Sequence, residues 1–286
     1  MQNNSYPGLF QSANEAAAAQ QKWHFCCLGG SLILLALGAV FSLAPNTSKC
    51  TAIVAAVLFG GTIGLTLLMA FKRFDKTWYN ARAVAESVKT RTWRFIMRAE
   101  PYDCGDPDAR GLFAEDLAAI LKENVDAAKI IPATEADAIT VDMENVRNLD
   151  LPARKEFYKT NRVDEQLAWY VLKATFNRQC RTVWFCVMIF FQLCALVCVI
   201  LKLEFPERTL IPTGLFTTLA GAALGWMQAK RFGELSTSFN LTAHEIAIIS
   251  SHYRLLSDEQ KFSAFVRDSE AAFSREHTQW VARRGI

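Results

Sequence analysis

Between Cys50 and Phe71 the chain runs for 22 residues without a formal charge, and Lys72 and Arg73 then arrive together. A helix rises about 1.5 Å per residue, so this run reaches across the roughly 30 Å hydrocarbon core of a bilayer. Three more runs are free of Asp, Glu, Lys and Arg: Trp23 to Ser48, Thr182 to Leu201 and Thr209 to Ala229. Runs this long, four times over, read as membrane spans rather than as buried helices of a soluble domain. Composition alone hides this, because 51% hydrophobic and 21% charged residues look nearly ordinary. The charges are not spread but segregated.

The opening MQNNSYPGLFQSANEAAAAQ lacks the basic region of a signal peptide, and the apolar run after it is too long for one. It is expected as a frayed start leading into a first span over about 23–44. Pro45 to Lys49 form a tight turn, and a second span covers about 50–71. From Arg73 to about Glu100 the pattern stays helical, without Gly or Pro and with eight basic residues between Lys72 and Arg98 against Asp75 and Glu86. This is the signature of a basic amphipathic helix leaving a membrane. Pro101 and the turn over 103–108 end it. Asp103, Asp106 and Asp108 lack the glycine and terminal glutamate of a calcium loop, so a turn is expected there, not a metal site. Helices are expected next over Gly111–Lys122 and Thr134–Asn148.

With Asp150 as cap and Pro152 in the first turn, one helix can run from Ala153 into a third span over about 182–201. A short turn and a fourth span over about 209–229 come next, then a long helix. Ser257 and Gln260 read as a capping box for a last helix from Asp258 to about Arg283. The fold expected is an all-α membrane protein with two transmembrane hairpins in parallel duplication and long cytosolic helices. Its parts are 1–101, a connector over 102–150, and 151–286. Both halves carry Lys-Arg-Phe after the second span of their hairpin, at Lys72–Phe74 and Lys230–Phe232. The ends facing the soluble segments hold eight basic residues against three in the short turns, which places the soluble parts and both termini in the cytoplasm.

Chemistry is sparse. The eight cysteines are scattered without the spacing of a zinc site, the four histidines are dispersed, and no nucleophile elbow, phosphate-binding loop or dinucleotide fingerprint occurs. No enzyme and no cofactor are expected, and no nucleic-acid partner. The spans contain no ionisable acid or base, which argues against proton coupling and voltage sensing. They do contain Gly60 and Gly64, and Gly221 and Gly225, at the spacing that lets helices approach closely, within one chain or between copies. Thr62 with Thr66, and Thr209, Thr213 and Thr217, share helix faces, and Gln192 is the most polar residue of the third span. Such a stripe lines a wet path, or its hydroxyls bond back to their own helices. The basic residues Lys72, Arg73, Lys76, Arg91 and Arg98 suit anionic lipid headgroups or an anionic signal.

Two stretches carry a resemblance. In residues 81–102 it lies in Ala85, Glu86, Ser87, Lys89, Thr90, Trp93, Arg94 and the run Ala99 to Tyr102. In residues 139–178 it lies in Thr140, Met143, Arg147, Arg154, Tyr158, Arg162, Gln166, Trp169, Tyr170, Lys173, Ala174 and Asn177, with Glu165 where the pattern usually has Asp. The chain thus resembles two classes of SLATT domain in tandem, the two-transmembrane effector domains associated with SMODS nucleotidyltransferases and SLOG sensors. The resemblance implies an oligomeric effector of the bacterial inner membrane that permeabilises it in an anti-phage or conflict system. The signal would be a nucleotidyltransferase product or come from a SLOG-type sensor. A non-conducting scaffold or sensor recruiting a cytosolic partner is the other reading. Independently of the family, Arg162, Gln166, Trp169, Tyr170 and Lys173 recur at three- and four-residue steps and share a helix face. That face suits packing on the basic helix, a subunit contact or a ligand.

Overall fold

The computed structural model describes residues 2–43, 49–134, 136–207, 211–253 and 258–282, without the side chains of residues 252 and 275–282. Every regular element among them is helical. In chain order these are α1 (Gly8–Phe41), α2 (Lys49–Lys72), α3 (Phe74–Ile96), α4 (Asp106–Glu123), α5 (Val125–Ala128) and α6 (Val141–Arg147). They continue with α7 (Leu151–Tyr158), α8 (Glu165–Glu204), α9 (Thr213–Lys230), α10 (Phe232–His252) and α11 (Glu259–Ala282). A 3₁₀ turn spans Asn3–Ser5, and a π-helical turn over Lys159–Asp164 joins α7 to α8.

The chain divides into two compact units, each drawing on both halves of the sequence. One, the apolar unit, comprises Lys22–Arg73 and Ala174–Thr237. Its large side chains face outward: Phe71 is 82% exposed and Leu203 79%. Its buried positions are mostly small, among them Cys27, Ser31, Ala55, Ala195, Cys198, Ala220 and Ala223. That inversion suits lipid, where association rests on close packing of small residues and not on expelling water. Between α1 and α2, the Phe59 ring lies 2.7 Å from where a Cβ on Gly38 would stand, and Leu34 lies 3.2 Å from the equivalent point on Gly61. On α9, Trp226 meets Phe25 of α1 and Trp184 of α8, with ring centroids 6.0 and 6.1 Å apart.

By length and composition, Gly8–Phe41, Lys49–Ile96 and Leu151–Glu204 are able to cross a membrane. With the outward apolar surface, this makes the chain a membrane protein. The fourth expected span is not among these three helices. Thr209 lies outside the described residues, and α9 begins only at Thr213, after Pro212. Its 18 residues rise about 27 Å. The turn residues 45–48 and Ser257 also lie outside the described residues. The last helix is capped instead by Asp258, whose Oδ1 accepts from the Lys261 N–H at 2.8 Å.

The other unit comprises Met1–Gln21, Phe74–Lys173 and Ser238–Ile286, with α3 at its centre and α4, α5, α6 and α11 packed on it. Ala81, Val84, Ala85, Val88, Trp93, Phe95 and Ile96 are all within 1% of full burial. The basic amphipathic helix is therefore a core helix, its apolar face covered by protein. Trp78 is buried and stacked on Tyr79.

Other boundaries differ for local reasons. The start is not frayed: Tyr6, Phe10, Ala13 and Ala17 are buried. The helix expected over Thr134–Asn148 forms only over Val141–Arg147, because the Thr140 hydroxyl caps its N-terminus by accepting from the Met143 N–H at 3.3 Å. Ahead of it, the Thr134 hydroxyl accepts from the Ala136 N–H in a local turn. α4 begins at Asp106, with Pro107 in its first turn, ahead of the expected Gly111. α3 stops at Ile96 because Arg98 turns left-handed, with φ 51°. Arg73 (φ 46°) and Arg231 (φ 51°) do the same, so each Lys-Arg-Phe interrupts the helix it was expected to continue.

Candidate functional site

Three arginines singled out in the sequence, Arg147, Arg154 and Arg162, are 2–3% exposed in the helical unit. Each solves a burial problem with its fork of donors. Arg147 donates to the Phe95 carbonyl (2.5 Å), the Tyr102 carbonyl (3.1 Å) and Asp106 (2.9 Å). Arg154 donates to the Leu149 carbonyl (3.0 Å), the Met97 carbonyl (2.9 Å) and the Glu259 carboxylate. Between them they reach the Phe95 and Met97 carbonyls at the end of α3, where the helical ladder runs out.

The third arginine builds a site. Arg162 Nε and Nη2 donate to the two carboxylate oxygens of Glu270 on α11, at 2.8 and 2.6 Å. The Glu270 side chain is fully buried. The Tyr158 hydroxyl donates to the same carboxylate at 3.0 Å. Burial and the Glu270 charge hold the Tyr158 phenol well above its ordinary pKa. The guanidinium carbon lies 4.9 Å from the Phe273 ring centroid and 5.7 Å from that of Trp93. Trp93 Nε1 donates to the Tyr6 hydroxyl at 3.0 Å, and burial pushes that phenol up to about 12. Arg162 Nη1 is buried without a hydrogen-bond partner among the described residues. The π turn makes this convergence possible, since one extra residue rotates the succeeding helix by roughly 100°.

Beside the pair is a cavity of about 120 Å³ lined by Tyr6, Lys89, Asn161, Arg162, Glu165 and Gln166, among others. Burial pulls the Lys89 ammonium down to about 8, with the Arg162 charge adding to the effect. The carboxylate that opposes this most, Glu86, already pairs with Arg82.

The face expected from three- and four-residue spacing thus splits. Lys89, Trp93, Arg162 and Gln166 gather at the buried pair and its cavity. Trp169 and Tyr170 pack instead on Phe239 of α10, at 5.5 and 5.8 Å, with Lys173 over the Trp169 ring. Arg94 donates to the Arg267 carbonyl at 3.2 Å. Of the basic residues assigned to headgroups or a signal, Lys76 pairs with Asp126 (3.5 Å), Arg91 with Asp116 (3.4 Å) and Arg98 with the Arg147 carbonyl (3.0 Å). Lys72 and Arg73 are exposed.

In the apolar unit, the hydroxyls of Thr62, Thr66 and Thr217 bond back to the carbonyls of Leu58, Thr62 and Thr213, at 3.1, 2.9 and 3.2 Å. Thr213 keeps a buried hydroxyl without a partner among the described residues, and Gln192 is exposed. No hydrogen bond links these residues between helices among the described residues. Gly60, Gly64 and Gly221 have nothing within 4 Å of an added Cβ, and Gly225 only Leu32 at 4.0 Å. Close packing within the chain falls to Gly38 and Gly61 instead.

Glu270 and Tyr6 had not been singled out. Glu270 had a signal, a lone acid on the apolar stripe of Phe262, Val266 and Phe273.

Two family models match the chain, one over residues 7–155 and one over residues 158–280. They are SMODS and SLOG-associating 2TM effector domains 3 and 1. The chain belongs to the SLATT family. No curated protein and no solved structure matches it. The boundary between the two SLATT matches falls at α7, just ahead of the π turn that carries Arg162. Arg162 and Glu270 both lie in the second match, whereas Lys89 and Trp93 lie in the first. The site is therefore made where the two SLATT domains of one chain meet inside the helical unit.

Proposed function

We propose that this tandem SLATT protein is an oligomeric effector of the bacterial inner membrane that permeabilises it when its helical unit receives a signal. The observation that carries the reading is the inverted packing of the apolar unit, with small residues inside and large apolar ones outside. α1, α2, α8 and α9 are its four spans, two parallel hairpins, each ending in a left-handed Lys-Arg-Phe junction. The helical unit and both termini lie in the cytoplasm. The signal is a nucleotidyltransferase product or comes through a SLOG-type sensor, in an anti-phage or conflict system, and no catalysis is involved. Thr66, Gln192 and Thr217 are exposed on the apolar unit, so a wet path using them runs between copies. Expression with and without the activating system, followed by a membrane-potential dye, tests this. Depolarisation on activation supports it, and an unchanged potential with the protein oligomerised refutes it.

A scaffold reading has one observation in its favour. The hydroxyls of Thr62, Thr66 and Thr217 are already satisfied by their own helices. Thr213→Leu with Thr217→Leu separates the two, since a scaffold keeps its activity and a pore lined by that stripe loses conductance.

A further inference from the structure

The cavity beside Arg162 has the composition of a ligand site. It holds two cations from different elements, Lys89 of α3 and Arg162 of the π turn, with the amides of Asn161 and Gln166. Structural cations in a protein interior are paired, because an uncompensated buried charge is costly. Arg162 spends Nε and Nη2 on Glu270, yet Nη1 has no partner among the described residues. Lys89 makes no hydrogen bond or ion pair with any described residue. Arg162, with one buried donor unpartnered, and the half-buried Lys89 thus line a single small cavity. The backbone there is a π turn, an irregularity often found at functional sites.

The chemistry narrows the ligand further. Lys89 and Arg162 call for an oxyanion, and Lys with Arg is a common pairing on phosphate. Glu165 also lines the cavity, and a carboxylate repels an anion that has no proton to donate. Hydrogen phosphate and a singly protonated phosphomonoester carry an O–H for Glu165 to accept, whereas sulfate near neutral pH carries none. At about 120 Å³ the cavity is smaller than the roughly 150 Å³ space that holds benzene. It has room for one such group.

We infer that this cavity binds a protonated phosphate group, free or at the end of a larger molecule, between Lys89, Arg162 and Glu165. The group completes a site to which both SLATT domains contribute. Its source is a soluble phosphomonoester or the headgroup of a phosphatidic acid, and the same cavity chemistry serves either.

The test is thermal unfolding of the full chain in phosphatidylcholine nanodiscs, titrated with inorganic phosphate or glycerol 3-phosphate. Sodium sulfate at matched ionic strength is the control, and a parallel arm uses nanodiscs containing phosphatidic acid. The inference predicts that phosphate or the phosphomonoester raises Tm while sulfate does not. Protection confined to phosphatidic acid assigns the headgroup as source. Lys89→Met should weaken the response about tenfold or more, while Lys89→Arg and the distant Lys122→Met retain it. Equal protection by sulfate, an undiminished response in Lys89→Met, or no protection in any arm overturns it. Because the readout is heat stability and not current, its failure is distinct from failure of the pore reading.

Discussion

Arg162 and Glu270, 108 residues apart in sequence, form a two-pronged ion pair with no exposure to solvent at the acid. Breaking such a pair from one side leaves a buried charge, at a cost of roughly 3–5 kcal/mol, whereas replacing both partners by apolar residues is often close to neutral. Glu270→Gln is therefore expected to destabilise by about that amount, and Arg162→Met with Glu270→Met to recover most of it. Denaturant unfolding of the purified chain checks this. Equal losses in the single and double variants would contradict it.

Lys89 yields a prediction of opposite sign. Its ordinary value of 10.5 falls to about 8 through burial first and Arg162 second. Between those values the unfolded chain holds a proton that the folded chain has released, so stability rises with pH across that window. The rise is at most roughly 3 kcal/mol. The charged groups bearing on Lys89 are Arg82 and Glu86 on α3, Arg162 in the π turn, Glu165 at the start of α8, and Glu270 on α11, with the Tyr6 phenol titrating above the window. Lys89→Met should thus be more stable than the native chain near pH 7, with the difference vanishing above about pH 10.5. Comparing pH-dependent unfolding of the two proteins measures it; a destabilised variant would make Lys89 a packing residue only.

Two kinds of glycine separate cleanly. Gly38→Leu drives a side chain into Phe59 and should lower the stability of the apolar unit by about 1–3 kcal/mol. Gly60→Leu meets open space and should leave that stability unchanged while weakening self-association, read by cross-linking in nanodiscs. Gly60→Leu that is both stable and fully oligomeric would remove Gly60 from any interface.

Arg73 and Arg231 hold a conformation that costs a residue with a Cβ about 1–2 kcal/mol. Arg231→Ile should destabilise more than Arg231→Gly, which loses that strain. Thermal unfolding compares them, and equal effects would mean that the strain is negligible.

How far the sequence could be read depends on which signals are local. Charge segregation made the helices and their apolar stretches plain, and the Asp150 cap and Pro152 marked the start of α7 within two residues. The breaks at Arg73 and Arg231 carry no glycine to announce them, and arginine has no preference for left-handed backbone. Arg162 and Lys89 were found through a resemblance, but their convergence was not, because it depends on a π turn and on α11 packing against α3. Glu270 was visible only as an acid on an apolar stripe. Lys76, Arg91 and Arg98 are expected from the sequence on anionic headgroups or a signal, yet they find their acids and carbonyls in segments well removed along the chain, at Asp126, Asp116 and Arg147.

The central claim is that the apolar unit conducts under the control of the helical unit. Its most direct test is the current across planar bilayers containing the purified full chain, recorded before and after addition of the activating nucleotidyltransferase product. The account predicts discrete current steps after addition, lost with Thr213→Leu and Thr217→Leu together. A silent bilayer holding oligomeric protein and bound signal would contradict it.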